Sequence, residues 1–116
     1  MYRLSSKSKW MAAALVGAAL TVTWSRGPVG AQGKSTGDIY LDKCGVCHGA
    51  DGAGKTARGM KLKVKDVRET VSKVTAEQMA DIVSKGKPPN MGAYAKLLSA
   101  DQVKQIVEYY RSLAKT

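Results

Sequence analysis

The 116-residue chain contains no phenylalanine, one histidine and two cysteines. Each scarcity excludes something. Two cysteines and one histidine fall short of the four ligands of a structural zinc site. No second thiol pair exists to staple the fold with a disulfide. No βαβ pattern surrounds the cysteines, which removes the setting of a thioredoxin-like dithiol. Gly52-x-Gly54-Lys55 lacks the full G-x-x-x-x-G-K-[ST] pattern and a preceding strand, so it is no phosphate cradle. Basic residues are not interleaved with aromatics and no recognition motif occurs, so nucleic acid is not implied. The longest apolar run, Trp10 to Trp24, has 15 residues. A membrane-spanning helix needs about 20.

That run follows Arg3, Lys7 and Lys9 with no acid before it, and leads into Ser25-Arg26-Gly27-Pro28 and the small residues Val29-Gly30-Ala31. A basic start, a short apolar centre and a small-residue end make residues 1–31 a secretory signal peptide. The alternative is an uncleaved anchor, since flanking residues can stretch a short run. Cleavage after Ala31 leaves residues 32–116 as one small domain, periplasmic or otherwise exported, with no stable membrane span after processing. It keeps 15 basic and nine acidic side chains, a formal +6. Its only large aromatics are Tyr40, Tyr94, Tyr109 and Tyr110. A core this small is marginal without a staple. A buried, covalently held cofactor is the natural candidate.

What is present is Cys44-Gly45-Val46-Cys47-His48. Cysteines at i and i+3 share one face of a helical turn, and the histidine after them shares it too. Two thiols can add across the two vinyl groups of a haem while the imidazole reaches the iron from the same side. This is the c-type haem attachment pattern.

Around it the sequence predicts helices and loops. Ser35 or Thr36 caps a helix running to about Val46, with Asp38 in its first turn and Ile39, Tyr40, Leu41, Cys44 and Cys47 on one face. Gly37 sits in that helix at a cost of about 1 kcal/mol against alanine, which points to a loose end or to a crossing with no room for a Cβ. Residues 49–65 are glycine-rich without apolar periodicity and read as a haem-wrapping loop; Lys61 to Lys65 alternates like a strand but has no partner. Asp66 to Ser72 reads as a short helix. Thr75-x-x-Gln78 and Ser99-x-x-Gln102 are capping boxes that open two further helices, with Val74 and Leu98 as staples onto Met79 and Val103. The first carries Met79, Ile82 and Val83 and stops at Gly86; the second carries Val103, Ile106, Val107, Tyr110 and Leu113.

A low-spin electron carrier needs a ligand opposite His48, and a methionine thioether is the soft donor at hand. Met79 lies on the apolar stripe of its helix and reads as core. Met60 lies 12 residues after His48, which is close. Met91 lies 43 residues on, in Lys87-Pro88-Pro89-Asn90-Met91-Gly92-Ala93-Tyr94, where two prolines stiffen an irregular segment. It has no obvious packing role other than gap-filling, and it is the expected sixth ligand.

Together these features resemble the small mono-haem class I cytochromes c of bacteria, over nearly all of Gly33 to Leu113. The resemblance implies an all-α domain whose N- and C-terminal helices pack across each other around a covalent haem, with long haem-wrapping loops. It implies that Gly37, seven residues before the first cysteine, packs against Tyr109 or Tyr110, with Tyr40 as the family's aromatic four before it. Cofactor binding falls to Cys44, Cys47, His48 and Met91, the last two as iron ligands. Two family features are missing. Gly92 stands where a proline often follows the methionine, and no proline between Gly49 and Lys87 offers its carbonyl to His48, leaving a backbone carbonyl in 57–62 as the expected acceptor. The implied function is a soluble exported electron shuttle, a monomer and not an enzyme, meeting redox partners with acidic docking surfaces through its lysines. The alternatives are a haem c subunit dedicated to one dehydrogenase or oxidase, and a sensor or small peroxidase whose methionine leaves the iron.

Overall fold

The computed structural model describes residues 33–116, with Gly17 alone before them. The expected leader, its cleavage and the anchor alternative therefore lie outside the described residues. In chain order the elements are α1 (Thr36–Lys43), α2 (Gly45–His48), α3 (Ala57–Lys61), α4 (Val67–Thr70), α5 (Ala76–Lys85) and α6 (Ala100–Ser112), closed by a 3-10 turn at Leu113–Lys115. Among the described residues no strand forms; the isolated bridge is between Lys87 and Met91. The fold is all-α, and none of these helices is long and apolar enough to cross a membrane.

Local chemistry sets the helix starts. Of the two expected caps for α1, Ser35 is the one used. Its hydroxyl accepts from the Asp38 amide at 3.2 Å, and the Asp38 carboxylate accepts in return from the Ser35 amide at 3.3 Å. Thr75 with Gln78 and Ser99 with Gln102 close the same reciprocal pair at α5 and α6. Gly86 ends α5 at φ +78°, donating its amide to Ile82 at 2.7 Å. An added Cβ there would lie 2.8 Å from the backbone of Met91, Gly92 and Ala93, so only glycine fits.

The N-terminal helix departs from expectation. It stops at Lys43 rather than running to about Val46, because Cys44 swings to φ −116° before the chain restarts as α2. Leu41, expected on the buried face, is 46% exposed. The glycine-rich stretch is not all loop either. Thr56 caps α3 by accepting from the Gly59 amide at 2.9 Å. The strand-like Lys61–Lys65 instead ends that helix and turns through Lys63 at φ +56°. The short helix expected over 66–72 is α4, capped by the Asp66 carboxylate on the Arg68 amide at 2.8 Å.

α6 packs against both α1 and α5. Tyr40, Leu98, Val103 and Ile106 form the buried cluster, with Tyr109, Tyr110 and Leu113 packed on it. The N- and C-terminal helices meet at Gly37, and Tyr109 is the aromatic that faces it. A Cβ at Gly37 would meet the Tyr109 ring at 3.5 Å, an ordinary contact. The crossing is close, yet it does not exclude a Cβ.

Candidate functional site

α2 is a single turn, too short to be stable alone. Side chains from distant segments hold it. The Tyr94 hydroxyl donates to the Lys43 carbonyl at 3.1 Å, just ahead of the motif. The Thr56 hydroxyl donates to the Val46 carbonyl at 2.7 Å, with the Cys47 carbonyl 3.2 Å away. The buried Tyr40 hydroxyl donates to the Gly49 carbonyl at 2.8 Å, just behind it. The Gly54 amide donates to the His48 carbonyl at 2.8 Å. α3 lies so close that a Cβ at Gly59 would overlap the Cys47 and Gly54 carbonyl oxygens. The turn bearing Cys44, Cys47 and His48 is thus pinned before, along and after its length.

Beside it opens a cavity of about 700 Å³, within the ~300–1,000 Å³ of cofactor sites. Cys44, Cys47, His48 and Met91 all line it. The fold therefore brings together all four residues singled out in the sequence. Met79 also lines it, though 5% exposed and part of the core as expected. Its sulfur lies 3.8 Å from a guanidinium nitrogen of Arg111. Ile82 and Val83 are only half-buried because their stripe faces the cavity. Met60 does not line it and is 63% exposed.

Met91 is carried by a closed loop. Lys87 and Met91 exchange amide–carbonyl bonds of 2.8 and 3.0 Å, and the Tyr94 amide bonds back to Val83 at 3.0 Å. This cross-bridge supplies the stiffness that a proline after the methionine would otherwise give. Gly92 has open space around it.

Burial holds the His48 pKa below its ordinary value, favouring the neutral imidazole that ligates metals. No carbonyl in 57–62 accepts from it: Nδ1 is buried without a protein partner. Tyr110 stands edge-on to the ring at 5.2 Å between centroids. Burial also pushes the Cys44 thiol up to about 11, and neither cysteine is in a disulfide. Two free thiols, a half-buried imidazole biased to its neutral form, a thioether and an apolar wall make a donor set that fits haem. Five cations line the same cavity, Lys43, Arg58, Lys63, Lys65 and Lys87, and no carboxylate does. The ion pairs among the described residues involve none of the five.

A helical fold around such a cavity defines a c-type cytochrome. The chain belongs to the family described as cytochrome c oxidase, cbb3-type, subunit III, whose model matches residues 31–109. Solved structures agree. A c-type cytochrome, KustC0563, is 27% identical with a TM-score of 0.63, over 69% of this chain and 98% of that one. A variant of it bearing one tyrosine-to-phenylalanine change gives 26% and 0.62, over 69% and 99%. The c-type cytochrome NirC is 25% identical with a TM-score of 0.53, over 66% and 85%. No curated protein matches at the significance required. The protein is a small class I mono-haem cytochrome c carrying covalently bound haem c, and its chemistry is electron transfer. The Cys44–Cys47 pair fits the attachment motif.

Proposed function

We propose that the chain is an exported one-electron shuttle. Cys44 and Cys47 hold the haem by thioethers, and His48 and Met91 ligate its iron. The observation that carries this reading is that all four residues line one cavity. Bound there, haem supplies the redox chemistry, and His/Met ligation sets a raised potential. The protein's part is to present a neutral imidazole on a pinned turn, a thioether on a closed loop and an apolar wall that excludes water. Five unpaired cations at the cavity exceed the two propionates of a haem, which leaves positive charge for an acidic redox partner. A second reading is favoured by the family match: a haem subunit dedicated to one oxidase. Co-purification with that enzyme in fixed stoichiometry distinguishes it.

Three methionine-to-alanine changes test the ligand assignment. A thioether on ferric iron gives a weak far-red charge-transfer band. Met91→Ala is expected to abolish it, lower the potential and open the iron to carbon monoxide. Met60→Ala leaves the band unchanged. Met79→Ala keeps the band but costs ~2–5 kcal/mol of stability, as for other buried methionines. Loss of the band in Met60→Ala or Met79→Ala instead would overturn the assignment, and its absence from the wild type would favour a sensor or peroxidase with an open or displaceable ligand position.

A further inference from the structure

In residues 87–97 every residue is exposed except Met91 and Tyr94, and both of these line the cavity. Main-chain bonds hold the loop at its base. Lys87 and Met91 pair with each other, and the Leu97 amide folds back on the Tyr94 carbonyl. The Tyr94 and Ala95 amides donate to the Val83 and Ser84 carbonyls near the end of α5, at 3.0 and 3.2 Å. All of these bonds tie the loop to itself or to α5, and none reaches the attachment turn. That link is made by one side chain. The Tyr94 hydroxyl donates at 3.1 Å to the carbonyl of Lys43, the residue before Cys44. Among the described residues it is the single side-chain hydrogen bond that 87–97 makes. Burial holds the phenol pKa above its ordinary value, so the donated proton stays in place through neutral pH. For packing alone, phenylalanine would serve. What the hydroxyl adds is a tie between segments 51 residues apart.

We propose that Tyr94 is the positioning residue for the sixth ligand, strapping the Met91 loop to the segment that bears Cys44 and so keeping the thioether seated. The inference rests on Met91 being an iron ligand. Lys43 is a well-placed anchor, because a residue next to a covalently attached cysteine cannot drift away from the haem. The opening by which Met91 leaves the iron swings the loop off the attachment segment and breaks the Tyr94 bond. The free energy of such a local opening is set by the contacts broken in it, not by the stability of the whole domain. The strap therefore bears on what the protein does. With the loop fastened, no external ligand reaches the sixth position and the site only passes electrons. With it loose, the site accepts small ligands. Tyr94 in this way favours electron transfer over ligand binding.

The test uses the haem-loaded ferric protein with imidazole as the external ligand, comparing wild type, Tyr94→Phe and Ser35→Ala. Tyr94→Phe keeps the ring and removes the donated bond. Ser35→Ala removes the cap of α1 at the end opposite Lys43, and lowers the stability of the domain without touching the loop. The far-red thioether band is read first, at rest. Stopped-flow mixing then gives the rate at saturating imidazole, where loop opening limits ligand entry. Tyr94→Phe is expected to keep the band at rest and to take up imidazole about fivefold faster than wild type. That factor is equivalent to about 1 kcal/mol, at about 1.4 kcal/mol per tenfold. Ser35→Ala is expected to match wild type. Equal rates in Tyr94→Phe and wild type would overturn the strap and leave Met91 ligation standing. So would an equal acceleration in Ser35→Ala, which marks loosening of the whole fold. A wild type without the band at rest would overturn the Met91 assignment, and the strap with it.

Discussion

Thr56 is the residue on which the attachment turn and the following loop both depend, and Thr56→Val isolates it. Valine has nearly the same shape, so the change deletes a hydroxyl and little else. That hydroxyl accepts from the Gly59 amide at 2.9 Å and donates to the Val46 carbonyl at 2.7 Å. Loss of the cap costs about 1 kcal/mol. Loss of the donated bond costs about 1 kcal/mol more, with the Val46 carbonyl open enough for water to replace it in part. A total of about 2 kcal/mol in a domain this size lowers Tm by roughly 8–16 °C. Far-ultraviolet circular dichroism of the haem-loaded protein during heating measures it. Thr56→Ser keeps both bonds and is expected to recover most of the loss. A Thr56→Val midpoint within about 2 °C of wild type, less than ~0.5 kcal/mol here, would refute the clamp, as would a serine variant no better than valine.

Two glycines at different helix contacts are expected to behave oppositely. Gly37→Ala meets Tyr109 only at ordinary contact distance, so it gains up to about 1 kcal/mol of helix propensity; chemical denaturation showing a clear loss would contradict that. Gly59→Ala forces a Cβ into two backbone carbonyls, and it is expected to yield little folded, haem-loaded protein on export. Electron transfer to an acidic partner is expected to slow as salt approaches physiological ionic strength, where the Debye length is about 8 Å; a stopped-flow rate indifferent to salt would remove the docking role of the cavity cations. Acid is expected to weaken the fold. Hydrogen bonds from the Arg68 amide to Asp66 and from Lys73 to Glu69 hold both carboxyls below their ordinary values. Their stabilisation is present above the ordinary carboxylate range and is lost as pH falls through the lowered values. Denaturant midpoints measured down that range check it, and Asp66→Asn flattens the slope if the reasoning holds.

What could be read from the sequence was what is written in neighbouring residues. The capping boxes of α5 and α6 are complete within four positions, Thr75 to Gln78 and Ser99 to Gln102, and both helices start where those signs place them. The motif at Cys44–His48 is equally local. Ser35 was harder to tell from Thr36 because its reciprocal partner is an aspartate rather than the usual Glu or Gln. α3 stayed hidden for a different reason. Five residues do not sustain a helix alone, and this one exists because Thr56 and Gly59 dock it onto the carbonyls of α2. Nothing in Ala57–Lys61 announces a surface that lies ten residues upstream. The Tyr94 bond to Lys43 spans 51 residues and carries no sequence sign at all.

The Met91 loop is held by more than the two prolines that mark it in the sequence. Its two prolines suggested rigidity, and the missing proline after Met91 suggested a weakness. The loop is in fact closed by the Lys87–Met91 bridge and seated on Gly86, whose φ of +78° and crowded Cβ position admit no side chain. Gly86 had been legible only as a helix stop. It serves as that, and also as the floor on which residues 91–93 lie. The segment that carries the proposed sixth ligand is therefore fixed from the end of α5, a dependence that pattern reading assigns to the helix and not to the iron.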